Sequence, residues 1–232
     1  MKRIIMSLGI GCASAVLLLQ TGIAGGAPKT KTKVAAFNIN FDHLKPGGFP
    51  EDWKAETTNG HGKIAAWSVT EDDSAPSTPN VLKARPGTGI CGSMFNLFWT
   101  KSRSFRDGEI GLSLRGDTGS EDQGGGPAWR ILDQDNYYLA RYNPLENNFR
   151  LYVVRNGNRR MLKSASGIKI RSGEWFTISV TQEGTHIECS LNGKKLLETD
   201  DSTLKEDGGI GVWTKADAAT SFDSLWMSPS LN

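Results

Sequence analysis

"NYYLARYNPLENNFRLYVVRNG", residues 136–157, decides how the chain is expected to fold. Apolar and polar residues alternate here at a period of two, the spacing of a half-buried β-strand, in two runs separated by a polar turn. Tyr137 and Arg141 therefore share one face of the first strand. The stretch ends in Asn156-Gly157, a pair that tolerates the positive φ angles of a tight hairpin turn. The pattern predicts two antiparallel strands and a third that begins after the turn.

The same alternation recurs along the rest of the chain. A second Asn-Gly pair, Asn192-Gly193, lies between two more alternating runs, and no window of a dozen residues has helical periodicity. Strands are predicted at 37–41, 64–70, 79–84, 94–100, 108–115, 127–132, 136–142, 149–155, 158–164, 176–180, 187–191, 208–213 and 220–227. So many short antiparallel strands predict an all-β fold, a two-sheet sandwich or jelly roll of the concanavalin A-like kind.

The N-terminus has the pattern of a secretory signal peptide. Lys2 and Arg3 precede an apolar run from Ile4 to Leu19, and the small-residue run Ala24-Gly25-Gly26-Ala27 follows. A membrane anchor is the competing interpretation, but the apolar run is short for a span. We predict a signal peptide at 1–26, a flexible tail at 27–34 and a single β-sandwich domain at 35–232. The mature protein is then periplasmic or extracellular, without a stable membrane span.

The charge balance bears on the partner. The chain has 27 Lys and Arg against 25 Asp and Glu, and removal of the signal peptide takes away Lys2 and Arg3 and no acid. A mature surface that is neutral overall, without a long basic run, argues against a nucleic-acid partner.

Cysteine and histidine give little sign of a cofactor. Cys91 and Cys189 remain after processing, and either a disulfide between them or a buried free thiol at Cys189 fits an exported protein. His43, His61 and His186 are scattered without the spacing of metal ligands. We predict no bound metal and no cofactor.

The turn between two of the predicted strands partly matches a calcium-binding loop. Asp133 and Asp135 match the first and third positions of an EF-hand loop, but Tyr138 stands where glycine is needed and Pro144 where glutamate is needed. A polar turn is favoured there. A looser calcium site built from several loops stays open but is not predicted.

Glycoside hydrolysis needs two carboxyl groups that face one cleft. No strand carries an alternating Glu-x-Asp-x-Glu pattern, so no acid pair is recognisable and enzymatic activity stays uncertain. The candidate acids are Glu121, Asp122, Asp133, Asp135, Asp217 and Asp223. Asp133 and Asp217 are the candidates for a catalytic role.

Sugar recognition suits the composition better, because aromatic faces and planar polar groups bind sugars. The period-two pattern places Trp129 and Ile131 in the core and turns Arg130 to the other face. If the three strands are neighbours, Arg130, Arg141 and Arg150 form a basic row on one non-core face. The alternative is a solvated sheet face with ordinary cross-strand pairs.

The motifs resemble those of a group of secreted bacterial domains. The segments are "EDQGGGPAWRILDQDNYYLARYNPLENNFRLYVVRNGNRR", "SGEWFTISV" and "GGIGVWTKADAATSFDSLW", and the likeness extends over about residues 35 to 228. The sequence is similar to the concanavalin A-like lectin/glucanase superfamily, including LamG-type modules and 3-keto-disaccharide hydrolase domains. Its stretch "FDHLKPGGFPEDW", 41–53, departs from the F-x-G-x-x-L-x-x-W opening of those hydrolases. The positions that match the shared motif are Arg130, Asp133, Asn136, Tyr138, Arg141, Asn143, Trp213, Lys215 and Asp217.

Together these patterns predict an exported domain that binds a glycan through a polar and aromatic sheet face. The alternatives are a glycoside-acting hydrolase of the 3-keto-disaccharide hydrolase type and a non-catalytic cell-envelope interaction domain. The predicted ligand-binding residues are Arg130, Asp133, Tyr138, Arg141, Asn143, Arg150, Trp213, Lys215 and Asp217.

Overall fold

The structure is a computed structural model that describes residues 36–87 and 92–230. The predicted signal peptide, the predicted tail at 27–34 and Cys91 lie outside the described residues. Within those residues, no helix is long and apolar enough to cross a membrane.

The described chain is built from strands, with one short 3-10 turn at Thr58–Gly60. The all-β prediction is confirmed. The strands are β1 Phe37–Ile39, β2 Trp53–Thr57, β3 Ala66–Glu71, β4 Asn80–Arg85, β5 Phe95–Phe105, β6 Gly108–Thr118, β7 Gly126–Asp133, β8 Asn136–Asn143, β9 Asn148–Arg155, β10 Asn158–Ser166, β11 Trp175–Glu183, β12 His186–Leu191, β13 Lys194–Asp200, β14 Gly208–Lys215 and β15 Ala219–Pro229.

These strands form two antiparallel sheets that pack face to face. Sheet A has the order β13-β12-β11-β6-β15-β4-β3, with β1 also paired to β15, and sheet B has the order β10-β9-β8-β7-β14-β5-β2. Apolar side chains from both sheets fill the space between them, such as Ile110 and Ile178 of sheet A and Trp129 and Phe149 of sheet B. The predicted two-sheet sandwich is therefore the observed architecture.

Sheet B carries apolar side chains on its other side as well. Residues that alternate with the core positions form a second buried cluster, and every member comes from sheet B. We call this side, which points away from sheet A, the outer face of sheet B. Its apolar members are Phe95, Leu97, Trp99, Ala128, Ile131, Tyr137, Leu139, Tyr152, Val154 and Trp213.

Both predicted Asn-Gly hairpins are present. Asn156 and Gly157 join β9 to β10 with φ angles of 48° and 73°. Asn192 and Gly193 join β12 to β13 with φ angles of 49° and 75°. Positive φ at both central residues is the type I′ conformation, whose twist matches that of the flanking strands.

One prediction about strand faces is wrong at β7. Arg130 has φ 45°, and the pairing of β7 with β14 passes from Trp129 to Ile131 across a register shift. Arg130 is thus the extra residue of a β-bulge. The bulge moves Ile131 from the predicted core position to the outer face of sheet B. It removes Arg130 from the predicted basic row.

Strand β10 is an edge of sheet B and pairs with β9 alone within that sheet. Its register shifts between Met161 and Lys163, a further bulge. Arg159 stands opposite Val154, and so β10 adds a cationic side chain at the margin of the outer face.

Cys189 carries a free thiol buried in the core between the sheets. Burial raises its pKa far above the usual value of a thiol. Of the two states that the sequence left open for Cys189, the structure has the buried free thiol.

Candidate functional site

The polar part of the outer face of sheet B centres on two arginines from neighbouring strands. Arg141 of β8 and Arg150 of β9 stand directly opposite each other in the strand register. Like charges in this position repel unless an acid lies between them. Glu146, from the β8–β9 turn, has one carboxylate oxygen 3.0 Å from Arg141 Nη2 and 3.1 Å from Arg150 Nη1. This carboxylate holds the two guanidinium groups together.

Electrostatics keeps the Glu146 carboxylate charged. Burial alone would raise its pKa, but the hydrogen bond from Asn148 and the nearby Arg141 lower it below the usual value. A group whose pKa is lowered is a poor proton donor at neutral pH, so Glu146 is suited to orient the arginines.

A second acid, Asp122, is buried at the same end of the face with 1% of its surface exposed. Its Oδ2 accepts a hydrogen bond of 2.8 Å from Lys215 Nζ, and its Oδ1 accepts one of 3.0 Å from Asn143 Nδ2. Arg141 Nη1 lies 3.5 Å from Oδ1. Asp122 thereby joins β8 and β14 through charged and polar contacts.

Asp217 fixes the loop that presents Asp122. Its carboxylate accepts hydrogen bonds from the backbone N–H groups of Ser120, Glu121 and Asp122 and from the Ser120 hydroxyl. Burial would raise its pKa, but these hydrogen bonds lower it to about 2. Asp217 therefore organises the loop while its own oxygens are occupied.

Two donor nitrogens of Arg141 make no hydrogen bond in the described part of the chain. The side chain is 1% exposed, yet within the described part of the chain Nε and Nη1 have no hydrogen-bond partner. Buried polar groups in folded proteins are almost always paired, so such an exception calls for a partner. A ligand with oxygen acceptors would supply one.

Aromatic rings adjoin the arginines. The guanidinium carbon of Arg159 lies 4.4 Å from the centroid of Tyr152, 4.5 Å from that of Phe95 and 5.7 Å from that of Trp213. Phe95 and Trp213 also contact each other, with centroids 5.5 Å apart. Cations stack favourably on such rings. The result is an aromatic group with a guanidinium at its centre.

Trp99 extends the aromatic surface along the sheet. A Cβ at Gly209 would lie 2.9 Å from the Trp99 ring, so glycine on β14 is what lets that ring approach the strand backbone. Trp99 Nε1 donates to Glu56 at 2.7 Å, while Trp213 Nε1 donates to Tyr137 Oη at 3.1 Å. Both indoles are held by specific hydrogen bonds.

Arg130, predicted as a ligand-binding residue, holds the sandwich together instead. It is 2% exposed and lies at the end of the sandwich opposite to Asp122. Its guanidinium donates to the carbonyl oxygens of Arg106, Leu204 and Gly184 at 2.9, 2.7 and 2.9 Å, and to Asp107 at 3.1 Å.

Tyr138 also lies away from the outer face. Its side chain points into the core, where its hydroxyl donates to Asp201 at 2.6 Å and accepts from the backbone N–H of Leu204 at 3.1 Å. Burial raises the pKa of Tyr138 to about 12, so the hydroxyl stays protonated.

Asp133 belongs to the β7–β8 turn. One of its oxygens accepts from the backbone N–H of Asp135 and from Asn136 Nδ2, both at 2.8 Å. Asn136 in turn accepts from the backbone N–H of Asn156 at 3.0 Å, which ties this turn to the next hairpin. The polar turn that the sequence favoured over a calcium loop is what these contacts form.

The two acids named as catalytic candidates stand far apart. Asp133 ends β7, whereas Asp217 follows β14, whose Trp213 pairs with Gly126 at the start of β7. The length of β7, about 20 Å, separates them. A glycosidase acid pair is about 5 to 10 Å apart, so Asp133 and Asp217 cannot act on one bond.

Acid catalysis needs a carboxyl group with a raised pKa. Among the described residues, the carboxyl group with a raised pKa lies on sheet A. Burial raises the pKa of Asp223, on β15 of sheet A, to about 6, against the lowering effect of hydrogen bonds from the backbone of Ser77 and Ser224. Asp223 is therefore not placed to serve the outer face of sheet B.

A group of potential metal ligands lies on β12 and β13. One ligand atom each from His186, Glu188 and Glu198 falls within 4.8 Å of the others. Lys195 Nζ already lies 2.9 Å from Glu188 and 2.8 Å from Glu198 and neutralises part of their charge. The three residues offer a nitrogen and two oxygens to a transition metal ion, in competition with that ammonium group. The sequence did not single them out because strand pairing brings Glu198 to the other two.

The structure thus gathers some of the predicted site residues and disperses others. Arg141, Asn143, Arg150, Trp213 and Lys215 meet at the outer face of sheet B. Arg130, Asp133, Tyr138 and Asp217 do not line that face with free polar groups.

Sequence reasoning left Glu146, Arg159 and Phe95 out of the site and treated Asp122 only as a candidate acid. A signal for Arg159 was present, because counting outward from the Asn-Gly turn pairs it with Val154, on the same side of β9 as Tyr152.

The chain is similar to known proteins in its three-dimensional fold. No family model and no curated protein matches the chain. The carbohydrate-binding module CBM66 from Bacillus subtilis aligns with a TM-score of 0.59 at 18% identity, over 76% of this chain and 96% of that one. The fold is that of the concanavalin A-like sandwiches. The GH16 protein of the Bacteroides ovatus mixed linkage glucan PUL gives 0.61 at 12% identity, over 83% and 99%. The β-glucanase of Bacillus licheniformis gives 0.57 at 7% identity, over 84% and 98%.

Proposed function

We propose that the protein binds a glycan on the outer face of sheet B. The observation that carries the proposal is Arg141, a buried guanidinium with two nitrogens that have no hydrogen-bond partner within the described residues. Glu146 joins Arg141 to Arg150, and Arg150 Nη1 lies 3.4 Å from the hydroxyl of Tyr152, a member of the aromatic group. The names of the similar structures, a carbohydrate-binding module and two glucan-related proteins, support this choice of ligand.

The chemistry of the face suits a sugar. Ligand sites are largely apolar with a few placed polar groups that fix orientation. Here Trp213 and Tyr152 are buried, and Phe95 is the partly exposed ring of the aromatic group that offers apolar surface to the C–H side of a sugar. The planar fork of Arg141 matches a pair of neighbouring oxygens, and Lys215 adds a single charged donor.

Binding can be measured by affinity electrophoresis against a panel of polysaccharides, followed by calorimetry with the glycan that retards the protein. Hydrogen bonds to charged groups are worth about 1.5–3 kcal/mol, so Arg141→Ala should weaken binding about 10- to 150-fold. Arg85→Ala is the matched control, because Arg85 lies on β4 of sheet A and makes an exposed hydrogen bond to Ser68.

Arg141→Ala also leaves Asp122 with one cation fewer, and so folding must be checked by circular dichroism. Arg141→Lys keeps the charge and loses the planar fork, and it should still weaken binding. No retardation by any polysaccharide, or equal binding by Arg141→Lys and the wild type, would count against the proposal.

We further infer that the protein acts outside the cytoplasm, since residues 1–26 have the grammar of a signal peptide. N-terminal sequencing of the protein recovered from its native host checks this, because a chain that keeps Lys2 and Arg3 contradicts export.

A further inference from the structure

The charges on the outer face of sheet B do not balance. Its polar region holds two carboxylates, Asp122 and Glu146. Three cationic side chains contact them, Arg141, Arg150 and Lys215, and a fourth, Arg159, lies over the ring of the adjoining Tyr152. The mature sequence as a whole has equal numbers of acidic and basic residues, so this local excess of positive charge is a property of the face.

Arg159 accounts for part of the excess. Among the described residues no carboxylate pairs with it, and its Nη1 is buried without a hydrogen-bond partner. The neighbours of its guanidinium are the rings of Phe95, Tyr152 and Trp213. Burial among these rings disfavours the charged form and lowers the pKa of Arg159. A buried charge is costly unless it is paired, so this position favours an anionic partner.

Arg141 is near enough to share that partner. Tyr152 lies between Arg141 and Arg159: its ring is 4.4 Å from the Arg159 guanidinium carbon, and its hydroxyl is 3.4 Å from Arg150 Nη1, which Glu146 joins to Arg141. Asp122 is already engaged by Lys215 and Asn143, and Glu146 by Arg141 and Arg150. Neither acid is left to satisfy Arg159. The nitrogens of Arg141 and Arg159 that make no hydrogen bond therefore belong to one region with a net positive charge.

We propose that the glycan bound on this face is acidic and that an oxyanion substituent, a carboxylate or a sulfate ester, lies between Arg141 and Arg159. This inference rests on the glycan-binding function proposed above. Two guanidinium groups are suited to such a substituent because each offers planar paired donors to oxygen atoms, and the surrounding rings exclude water that would weaken the contact. A neutral sugar leaves the charge of Arg159 uncompensated.

The test compares polymers that differ only in charge. Calorimetry at low and at physiological salt would use polygalacturonate against its carboxyl-reduced form, and dextran sulfate against dextran. We expect at least about tenfold tighter binding of one charged polymer than of its neutral counterpart, with the preference reduced by salt. The first pair reports on carboxylates and the second on sulfate esters.

Variants of Arg159 and Arg85 test whether the preference for charged polymers comes from the outer face of sheet B. Arg159→Gln should abolish the tenfold preference, and Arg159→Lys should keep part of it. Because no ion pair is lost, Arg159→Gln is expected to fold, which circular dichroism checks. Arg85→Gln on sheet A, with the same change in net charge, should keep the full preference. Equal losses in Arg159→Gln and Arg85→Gln would show general attraction to polyanions and overturn the assignment.

The outcomes separate this inference from the function on which it rests. Equally tight binding of charged and neutral polymers overturns the acidic ligand and leaves glycan binding in place. Failure of all four polymers and of a wider neutral panel overturns both. Binding of neutral glycans alone also refutes the acidic ligand.

Discussion

Replacing Arg130 with methionine should destabilise the fold while leaving the proposed binding face intact. Arg130 donates four hydrogen bonds at 2.7 to 3.1 Å, three of them to the carbonyl oxygens of Arg106, Leu204 and Gly184 and one to Asp107. Methionine has a similar length but no donor, so all four acceptors lose this donor; Gly184 O keeps Gln182 Nε2, and Asp107 Oδ1 keeps the backbone N–H of Gly184. Loss of one partner from a buried charged pair typically costs about 3–5 kcal/mol.

The expected loss of folding stability in Arg130→Met follows from these four hydrogen bonds. Single hydrogen bonds to a charged group contribute about 1.5–3 kcal/mol, but four bonds from one side chain are not additive, and about 4 kcal/mol is a reasonable sum. Domains are stable by about 5–15 kcal/mol in all. At about 2–4 °C per kcal/mol for a chain of this size, Arg130→Met should lower Tm by about 8–16 °C.

Urea unfolding followed by tryptophan fluorescence measures the loss, and Arg85→Met serves as the control. Arg85 makes one exposed hydrogen bond, to Ser68, so its replacement should cost no more than about 0.5 kcal/mol. A stability of Arg130→Met within about 1 kcal/mol of wild type would contradict this structural role of Arg130. A variant that keeps its stability and loses glycan binding would also contradict it, because Arg130 would then touch the ligand.

Two more predictions concern single groups in the core and at its margin. Burial would raise the pKa of Asp201, but hydrogen bonds from Thr203, Tyr138 and Arg160 lower it to about 2. A lowered pKa contributes stability above pH 4 that is lost as the pH falls towards 2, about 1 kcal/mol after allowance for solvent screening. Asp201→Asn should flatten the stability curve over that interval in acid titrations monitored by circular dichroism. For Cys189, a thiol reagent should modify a variant with both Cys12→Ser and Cys91→Ser only after unfolding, because the thiol is buried and its pKa is raised; rapid reaction in native buffer would contradict this.

Period-two alternation was enough to predict which residues share a face in β8 and β9. Tyr137, Leu139 and Arg141 lie on the outer face, as expected, because neither strand has a register shift where it pairs with the other. Arg141 and Arg150, two members of the predicted basic row, stand directly opposite each other in the structure.

The same rule failed at β7 because of one inserted residue. The bulge at Arg130 exchanges the faces of Arg130 and Ile131 relative to a regular strand. Nothing in "AWRILD" marks a bulge, since the positive φ is adopted by arginine where glycine or asparagine would have signalled it. The side chain gains four hydrogen bonds from turns that are distant in sequence, and local pattern cannot report such contacts.

The positions of loop side chains could not be predicted from the sequence either. Asp122 and Glu146 lie in loops, where no periodicity assigns a side chain to one face of a sheet. Their roles come from contacts in the folded protein, of Asp122 with Lys215 and of Glu146 with Arg141. Arg159 lies on a strand that was predicted, but its importance depends on rings from β5, β9 and β14 that only the folded sheet brings together.

Strand β10 has a further consequence for the behaviour of the protein in solution. It is an edge strand, with Arg159, Arg160 and Lys163 along it and a bulge between Met161 and Lys163. Charged side chains and bulges at a sheet edge prevent it from pairing with the edge of another molecule. The cation that we assign to an acidic ligand therefore also guards against aggregation. Neutral variants of β10 should be studied at low protein concentration, and a polymer that occupies the face is expected to protect the same edge.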